Sequence, residues 1–184
     1  VVQEMQSLKK RLDSASRRWQ GPDGRARQPT INIGGVFGGG DGQKVNTVPG
    51  QASFSIDRRL LPGETIAQAE KELRRVITAA AQKAQARCRV EALLRIEPCL
   101  VDPAGALPTA FARSVRSVRR RTAQFRSTTG FTDLHYFVDD LGLPGIGYGA
   151  DGERAHGADE RVGLRDLVQT ARTYADFLVR GVDP

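Results

Sequence analysis

His156 lies in a polar, glycine-rich loop between Gly149 and Glu160, and it is one of only two histidines in the chain. Asp159 and Glu160 follow it closely. A neutral imidazole can bind a metal ion while a neighbouring carboxylate fixes its tautomer. The alternative is a surface histidine in a flexible loop, and the loop alone favours this second interpretation.

The segments beside this loop predict a strand and a helix. Residues 143–148 form a short apolar run typical of a buried strand, and open α/β sheets place their chemistry in the loops that follow strands. A helix is predicted from about Leu164 to Gly181. Its apolar stripe consists of Leu164, Leu167, Val168, Ala171, Tyr174, Ala175, Leu178 and Val179.

The residues before that strand complete an α/β segment. A helix with Pro108 in its first turn is predicted around Leu107–Val118, and residues 124–126 favour a short strand. Thr132 or Asp133 can cap a short helix that ends near Leu141. His135 falls on this helix, where packing or exposure is a better interpretation than metal binding.

The first hundred residues predict helix, strand, strand, helix, strand. The elements are a helix over 2–17, strands over 30–37 and 51–59, a helix over 65–84 and a strand over 87–97. With one more strand before residue 1, this is the ferredoxin-like arrangement, in which the helices cover one face of the sheet. The break at residues 98–103 predicts domains over 1–99 and 100–184.

Composition narrows the class of protein. The 184 residues include 39% hydrophobic residues, and the net charge is +7. A globular protein is expected, with no transmembrane segment and no secretory signal. Two cysteines make no disulfide framework, which favours a reducing cytoplasm. No CxxC, HExxH or Walker-type loop is present.

Three blocks, in order, resemble one enzyme family. The first block joins Gly34, Gly35, Gly38 and Gly39 to the runs 46–49 and 57–64; the second is 130–133 and the third is 149–160. Together they are similar to the zinc-dependent amidohydrolases and exopeptidases related to succinyl-diaminopimelate desuccinylase, acetylornithine deacetylase, aminoacylase and glutamate carboxypeptidase. The resemblance covers the chain from about residue 30 to its end.

The resemblance implies an incomplete enzyme. In that family a ferredoxin-like lid that dimerises is inserted into a two-metal α/β catalytic domain. This chain is then expected to contain the lid without its first strand, followed by the C-terminal part of the catalytic domain. The amino-terminal catalytic half, with its His-x-Asp pair, bridging aspartate and Glu-Glu pair, is expected to be missing.

The resemblance also implies roles for individual residues. His156 matches the last metal ligand, Asn46 a residue that reaches the substrate of the dimer partner, and Arg59 an arginine that binds the substrate carboxylate. Gly130 and Thr132 match the substrate loop, although Thr129 and Phe131 depart from its usual pattern. Asp133 and Glu160 are candidates for orienting these groups rather than for catalysis.

The implied reaction is hydrolysis of the amide bond of an N-acyl amino acid or a small peptide. Two zinc ions, or cobalt in their place, would activate a water and polarise the carbonyl. One imidazole does not make such a site, and no catalytic group is assigned in this chain. The chain alone is therefore predicted to be inactive, and a homodimer through the lid is expected.

Two other functions remain open. Arg113, Arg116, Arg119, Arg120, Arg121 and Arg126 form a basic cluster that could bind nucleic acid, but few aromatic residues are available for stacking. A solvated helix face is the preferred interpretation of these arginines. Alternatively, the lid is a non-catalytic dimerisation or regulatory module. Arg59 could also simply pair with Asp57 or Glu64, and Asn46 could be an ordinary turn residue.

Overall fold

The computed structural model describes residues 1–14, 18–35, 44, 46–48 and 50–181. Within these residues the chain forms two compact units, Val1–Pro98 and Cys99–Pro184. Both units combine helices with short antiparallel strand pairs, which confirms the mixed α and β composition expected from the sequence. None of the helices in the described part of the chain is both long and apolar enough to cross a bilayer.

Two helices of the first unit follow the predicted pattern. Helix α1 spans Val2–Ser14 and helix α2 spans Ile66–Lys83. The hydroxyl of Thr65 accepts a hydrogen bond from the backbone N–H of Gln68 at 3.3 Å, which satisfies one of the free N–H groups at the start of α2. Both helices bury their apolar side against the sheet. The buried core consists of Met5, Leu8, Ile31 and Ile77.

A two-stranded sheet completes the first unit. After a small hairpin of β1 (Trp19–Gln20) and β2 (Ala26–Arg27), strand β3 (Thr30–Gly34) pairs antiparallel with β4 (Ser55–Arg59). Ile31, Ile33, Phe54 and Ile56 face the helices, while Thr30, Asn32, Ser55 and Asp57 are exposed. The expected division into an apolar face and a polar face is confirmed for this strand pair.

The prediction of a strand over residues 87–97 is wrong. This segment forms no strand ladder with the described residues and instead follows α2 through side-chain contacts. Glu97 accepts a hydrogen bond from the backbone N–H of Ile66 at 3.1 Å, and Arg95 bonds Glu70 at 2.8 Å. Alternation shows which side chains share a face, but a strand also needs a neighbouring strand for its backbone groups.

The second unit contains two packed helices, α3 (Ala106–Arg119) and α4 (Leu164–Arg180). Between them lie a short π-helix (Tyr136–Asp140) and a hairpin of β5 (Gly152–Glu153) and β6 (Arg161–Val162). As predicted, Gly181 ends α4, with a positive φ of 71° that glycine adopts without strain. Both long helices agree with the sequence in position and extent.

Four aromatic rings hold α3 and α4 together. The ring of Phe111, which is 4% exposed, lies 4.9 Å from Tyr148, 5.5 Å from Tyr174 and 5.1 Å from Phe177. The hydroxyl of Tyr174 donates to the backbone carbonyl of Tyr148 at 2.7 Å. These edge-on contacts add to the stabilisation that burial of the rings provides.

Helix α4 exposes much of its predicted apolar stripe. Its buried residues are Thr170 and Thr173, whereas Leu178 is 77% exposed and Val179 is 88% exposed. We call the exposed apolar residues of this helix other than Tyr174 the outer face of α4: Leu164, Leu167, Val168, Leu178 and Val179. Periodicity correctly identifies a helix with two unlike faces, but it does not show which face the rest of the unit covers.

The strands predicted over residues 124–126 and 143–148 are also absent from the described structure. Gly145 is buried and Ile146 is half-buried, so part of the second run is covered, but its backbone pairs with no strand. A Cβ at Gly145 would lie 2.7 Å from Leu134 Cδ1 and 2.8 Å from Val138 Cγ2, so a larger residue would require both side chains to shift. The apolar character of the run reflects this packing rather than a sheet.

Substitutions on the two sides of α4 are expected to differ in their effect on stability. Phe111→Ala removes a buried ring and should lower the free energy of unfolding by about 3–5 kcal/mol. Leu178→Ala should change it by less than about 0.5 kcal/mol, because the side chain is already exposed. Urea unfolding of both variants measures this difference. A large loss at Leu178 would mean that the outer face of α4 is covered in solution.

The contact that fastens residues 87–97 to α2 should depend on pH. Arg95 and Arg74 bond the carboxylate of Glu70 and lower its pKa from 4.5 to about 2. A carboxylate with a lowered pKa stabilises the fold above its ordinary pKa and loses that effect as the pH falls toward the folded value. Glu70→Gln should therefore be less stable than the natural chain at neutral pH, and the difference should shrink between about pH 4.5 and pH 2.

Thermal unfolding of both chains across this pH range tests the expectation. Glu72→Gln is the matched control, because it removes the same charge from α2 at a residue that forms no ion pair with the described residues. A gap between the natural chain and Glu70→Gln that stays constant down to acid pH would contradict the assignment.

Candidate functional site

The loop that carries His156 is the turn of a short hairpin. Strands β5 and β6 pair Gly152 with Val162 and Glu153 with Arg161, and residues 154–160 connect them. The guanidinium of Arg161 bonds the carboxylate of Glu153 at 2.6 Å, which closes the base of the hairpin. His156 is exposed near the middle of the turn. The hairpin therefore presents the imidazole to its surroundings and does not bury it.

Contacts within the turn hold an unusual backbone. Arg154, His156 and Asp159 have φ values of 58°, 62° and 59°, in the left-handed region that costs a non-glycine residue about 1–2 kcal/mol. Glu160 accepts a hydrogen bond from the backbone N–H of His156 at 3.3 Å, and Arg154 lies 3.4 Å from Asp159. Such strain persists only where surrounding contacts enforce it, and it is concentrated at functional sites.

A buried ion pair connects this hairpin to both helices. The guanidinium of Arg119, whose side chain is 8% exposed, bonds the carboxylate of Asp166 and donates to the hydroxyl of Thr170 at 2.7 Å. The second oxygen of Asp166 accepts the backbone N–H of Asp151 at 2.7 Å. The pKa of Asp166 is lowered, first by the hydrogen bond from Arg119 and then by the bond from Asp151. Arg119 also stacks 5.6 Å from the centre of the Tyr148 ring.

Sequence reasoning missed this pair, because it counted Arg119 among the solvated arginines. Arg119 and Asp166 are 47 residues apart, so no local spacing connects them. The available signal was weak: Asp166 lies in the first turn of α4, where a carboxylate is favoured near the helix N-terminus.

The second group of predicted residues surrounds the start of the π-helix. The backbone N–H of Gly130 donates to the hydroxyl of Thr128 at 2.9 Å, and the carbonyl of Asp133 accepts the N–H of Tyr136 at 3.1 Å. The carbonyl of Thr132 lies 2.9 Å from Nδ1 of His135. Gly130, Thr132 and Asp133 are all exposed. They therefore form one accessible loop.

His135 is packed, in agreement with the sequence interpretation. It is 7% exposed, and its ring centre lies 3.9 Å from that of Tyr136 and 5.3 Å from that of Phe131. One ring nitrogen is already occupied by the carbonyl of Thr132. The role of this residue is to fix the loop of Gly130, Thr132 and Asp133.

The remaining predicted residues belong to the first unit. Arg59 lies at the end of β4 and bonds Oδ2 of Asp57 through Nε at 3.0 Å and Nη2 at 2.8 Å. Glu64 pairs instead with Arg58, whose side chain is only 6% exposed. Asn46 is exposed in a turn. Of the two partners considered from the sequence, Asp57 is the one that Arg59 contacts.

The described residues do not form a metal site by themselves. Among them there is no group of three or more histidine, cysteine, aspartate or glutamate side chains placed to hold an ion. His156 offers one imidazole, and Glu160 is engaged with the backbone of the same residue. The donor set of the described residues thus does not fit the two-metal centre that the sequence resemblance implied.

Comparison with known proteins identifies the first unit. Residues 1–85 match the family model described as a peptidase dimerisation domain. The chain is also 26% identical over 149 residues to the succinyl-diaminopimelate desuccinylase of Nitrosococcus oceani. That alignment covers 81% of this chain but only 38% of the desuccinylase, so the chain spans well under half the length of this relative.

Two solved structures share the fold. The M20 family metallo-carboxypeptidase Sso-CP2 from Sulfolobus solfataricus matches with a TM-score of 0.60 and 22% identity, over 82% of this chain and 35% of that enzyme. The di-peptidase Dug1p from Saccharomyces cerevisiae matches with a TM-score of 0.66 and 23% identity, over 82% of this chain and 33% of that protein. These two structures show that the chain shares the fold of M20 family peptidases, and the dimerisation-domain match agrees with this similarity over the first unit.

Proposed function

We propose that this chain is part of a metal-dependent hydrolase that cleaves an amide bond of an N-acyl amino acid or a small peptide. The observation that carries the proposal is the strained hairpin turn that presents His156 in a chain similar to the M20 family peptidases. The relatives are named as a desuccinylase, a metallo-carboxypeptidase and a di-peptidase, which supports a hydrolase acting on amide bonds.

In this proposal His156 is a metal ligand and Glu160 is its positioning residue. Glu160 acts through the backbone N–H of His156 and so fixes the direction of the imidazole. Zinc, two ions per complete site, or cobalt in its place, is the metal that the family implies. When bound, such ions activate water and polarise the scissile carbonyl.

The proposed substrate contacts are available in the structure. The pair of Arg59 with Asp57 is exposed, and exposed ion pairs contribute little free energy, so a substrate carboxylate can replace Asp57 on the guanidinium fork. The loop of Gly130, Thr132 and Asp133 is open to solvent. Asn46, also exposed, is proposed to reach the substrate of a second copy.

We further propose that the chain alone is inactive and that the remaining metal ligands and the general base come from a segment outside the 184 residues. Two observations support this: the described residues hold no group of three ligands, and the outer face of α4 leaves large apolar side chains in water. A face of this kind is typical of a surface that packs against more protein.

A loop graft tests the role of His156. Residues 149–163 would replace the corresponding loop of the Nitrosococcus oceani desuccinylase, and metal content and hydrolysis would be measured. The graft should keep metal-dependent hydrolysis. His156→Ala in the graft should lose its bound metal and more than about 100-fold of its activity. This loss would exceed the loss expected when a residue that only orients a metal ligand is removed.

Val162→Thr in the same graft is the control, because this side chain is 42% exposed and lies in β6, outside the turn, so the variant should keep most of the activity. Full activity and metal content in the His156→Ala graft would refute the ligand assignment.

The chain alone should show no metal-dependent turnover of N-acyl amino acids or dipeptides. Turnover that a chelator abolishes would contradict the inactive-fragment part of the proposal.

We also propose that the first unit is an incomplete ferredoxin-like lid through which the chain forms a homodimer. The match of residues 1–85 to a peptidase dimerisation domain supports this role. In the described part of the unit, β3 pairs only with β4, which leaves strand edges that a second copy could extend. Dimerisation without catalysis is the alternative function, and the same match favours it.

Sedimentation velocity should show a dimer that does not depend on the outer face of α4. The variant Leu164→Lys/Leu178→Lys places charges on that face, in the second unit, and should leave the dimer intact. A monomeric natural chain would remove the basis for Asn46 acting on a partner's substrate. Dissociation caused by the lysine substitutions would place the interface on α4 and contradict the lid proposal.

A further inference from the structure

Arginine side chains line an open cleft in the second unit. The cleft has a volume of about 470 Å³ and is formed by Arg113, Arg116, Ser117 and Arg120 from α3 and its C-terminal end, and by Arg180 from the last turn of α4. We call it the arginine cleft. It is separate from the His156 hairpin, none of whose residues line it.

The charge of the arginine cleft is poorly balanced. Arg113, Arg116 and Arg120 are spaced three and four residues apart, so they share one side of α3, where like charges repel. Helix α3 has no acidic residue, and neither Arg116 nor Arg120 forms an ion pair with the described residues. The bordering carboxylate is Asp176, which bonds Arg180 at 2.7 Å. Arg180 is thus paired with a carboxylate, whereas Arg116 and Arg120 are not paired with one among the described residues.

The helix dipole explains only part of this arrangement. Cations in the last turn of a helix are stabilised by the free carbonyl groups there, which applies to Arg116 and Arg180. Arg113 lies before the last turn of α3, so the helix dipole does not account for its position. Nor does the helix dipole explain why side chains from two helices line one concave surface.

The backbone of Arg120 is a second, independent observation. Arg120 is the residue that ends α3, with φ of 56° and ψ of 26°, a left-handed conformation that glycine normally supplies at this position. An arginine here carries a conformational cost, and its side chain lines the cleft. Strained residues are more frequent at functional sites, so this conformation supports a role for the side chain.

Asp176 also orients the cleft. Its carboxylate accepts from Arg180 Nε at 2.7 Å and from the hydroxyl of Ser117 at 3.4 Å, and Arg180 Nη2 donates to that hydroxyl at 3.2 Å. These bonds fix Arg180 beside α3. The neighbouring Arg119, in contrast, is buried against Asp166 and takes no part in the lining.

We propose that the arginine cleft binds a small anion that carries several phosphate oxygens, such as pyrophosphate or the phosphate chain of a nucleotide. A guanidinium donates two parallel hydrogen bonds to phosphate oxygens, and it stays charged at every physiological pH. An anion with several negative charges can accept hydrogen bonds from the guanidinium groups of Arg116 and Arg120 together. The volume of about 470 Å³ accommodates such a ligand.

Calorimetric titration of the full chain with pyrophosphate tests the proposal. The ionic strength should be about 0.01 M, where charges are weakly screened. One pyrophosphate should bind per chain, more tightly than citrate, whose charge is similar but whose oxygens belong to carboxylates. Titration with a nucleoside triphosphate shows whether a base adds affinity or the phosphates alone are bound.

Two variants locate the binding. Arg120→Gly removes a guanidinium and relieves the left-handed strain, so it should weaken pyrophosphate binding about tenfold or more while the unfolding temperature stays equal or rises. Arg116→Gln should weaken binding to a similar extent. Arg172→Gln is the matched control: it removes the same charge from an exposed position of α4 outside the cleft and should bind pyrophosphate nearly as the natural chain does.

Three results would overturn the proposal. The first is undiminished binding in both cleft variants, and the second is citrate binding as tight as pyrophosphate binding. The third is tighter binding of single-stranded RNA than of any small phosphate, together with a loss of RNA affinity in Arg120→Gly. That result would assign the cleft to nucleic acid. None of these results bears on the His156 hairpin, so the hydrolase proposal is tested separately.

Discussion

The buried pairing of Arg119 with Asp166 is the contact on which the second unit depends. A guanidinium removed from water must be paired and hydrogen-bonded, and this one reaches a carboxylate, a hydroxyl and the face of an aromatic ring. Asp166 lies in the first turn of α4, where the helix dipole favours its charge, and its second oxygen holds the chain at Asp151. One carboxylate thus joins both helices to the start of the His156 hairpin. The three left-handed residues of the turn persist because the chain is fixed at this point and closed again by Arg161 and Glu153.

Each unit has a covered side and an uncovered side, and the two uncovered sides differ in chemistry. In the first unit, helices protect the apolar face of β3 and β4, while polar groups such as Asn32 and Asp57 meet the solvent. A polar surface with open strand edges suits association between folded copies, since water satisfies it in the free state. In the second unit the uncovered side is the apolar outer face of α4. Such a surface suits permanent packing, as in the core of a domain.

The helices were predictable because their signals are local. Caps, periodic apolar residues and terminal glycines lie within a few residues of each other, as at Thr65 and Gly181. The strands predicted over 87–97 and 143–148 are not formed in the described structure. Alternation or an apolar run in the sequence does not supply the neighbouring strand that a ladder needs. His156 was singled out by its residue type, its loop and the family resemblance, and its role stays a prediction. The ion pair of Arg119 and Asp166, which holds the start of the hairpin, joins residues 47 apart, so no local pattern predicts it. The left-handed backbone at Arg154 and Asp159 is also not predictable from these residue types.

The exposed apolar residues of α4 have a consequence for the life of the protein in a cell. The helix buries Thr170 and Thr173 and exposes Leu178 and Val179 to water, so the folded chain presents apolar side chains at its surface. Chaperones and degradative proteases survey the cell for surfaces of this kind. A protein surface that covers this face of α4 would therefore protect the chain from both.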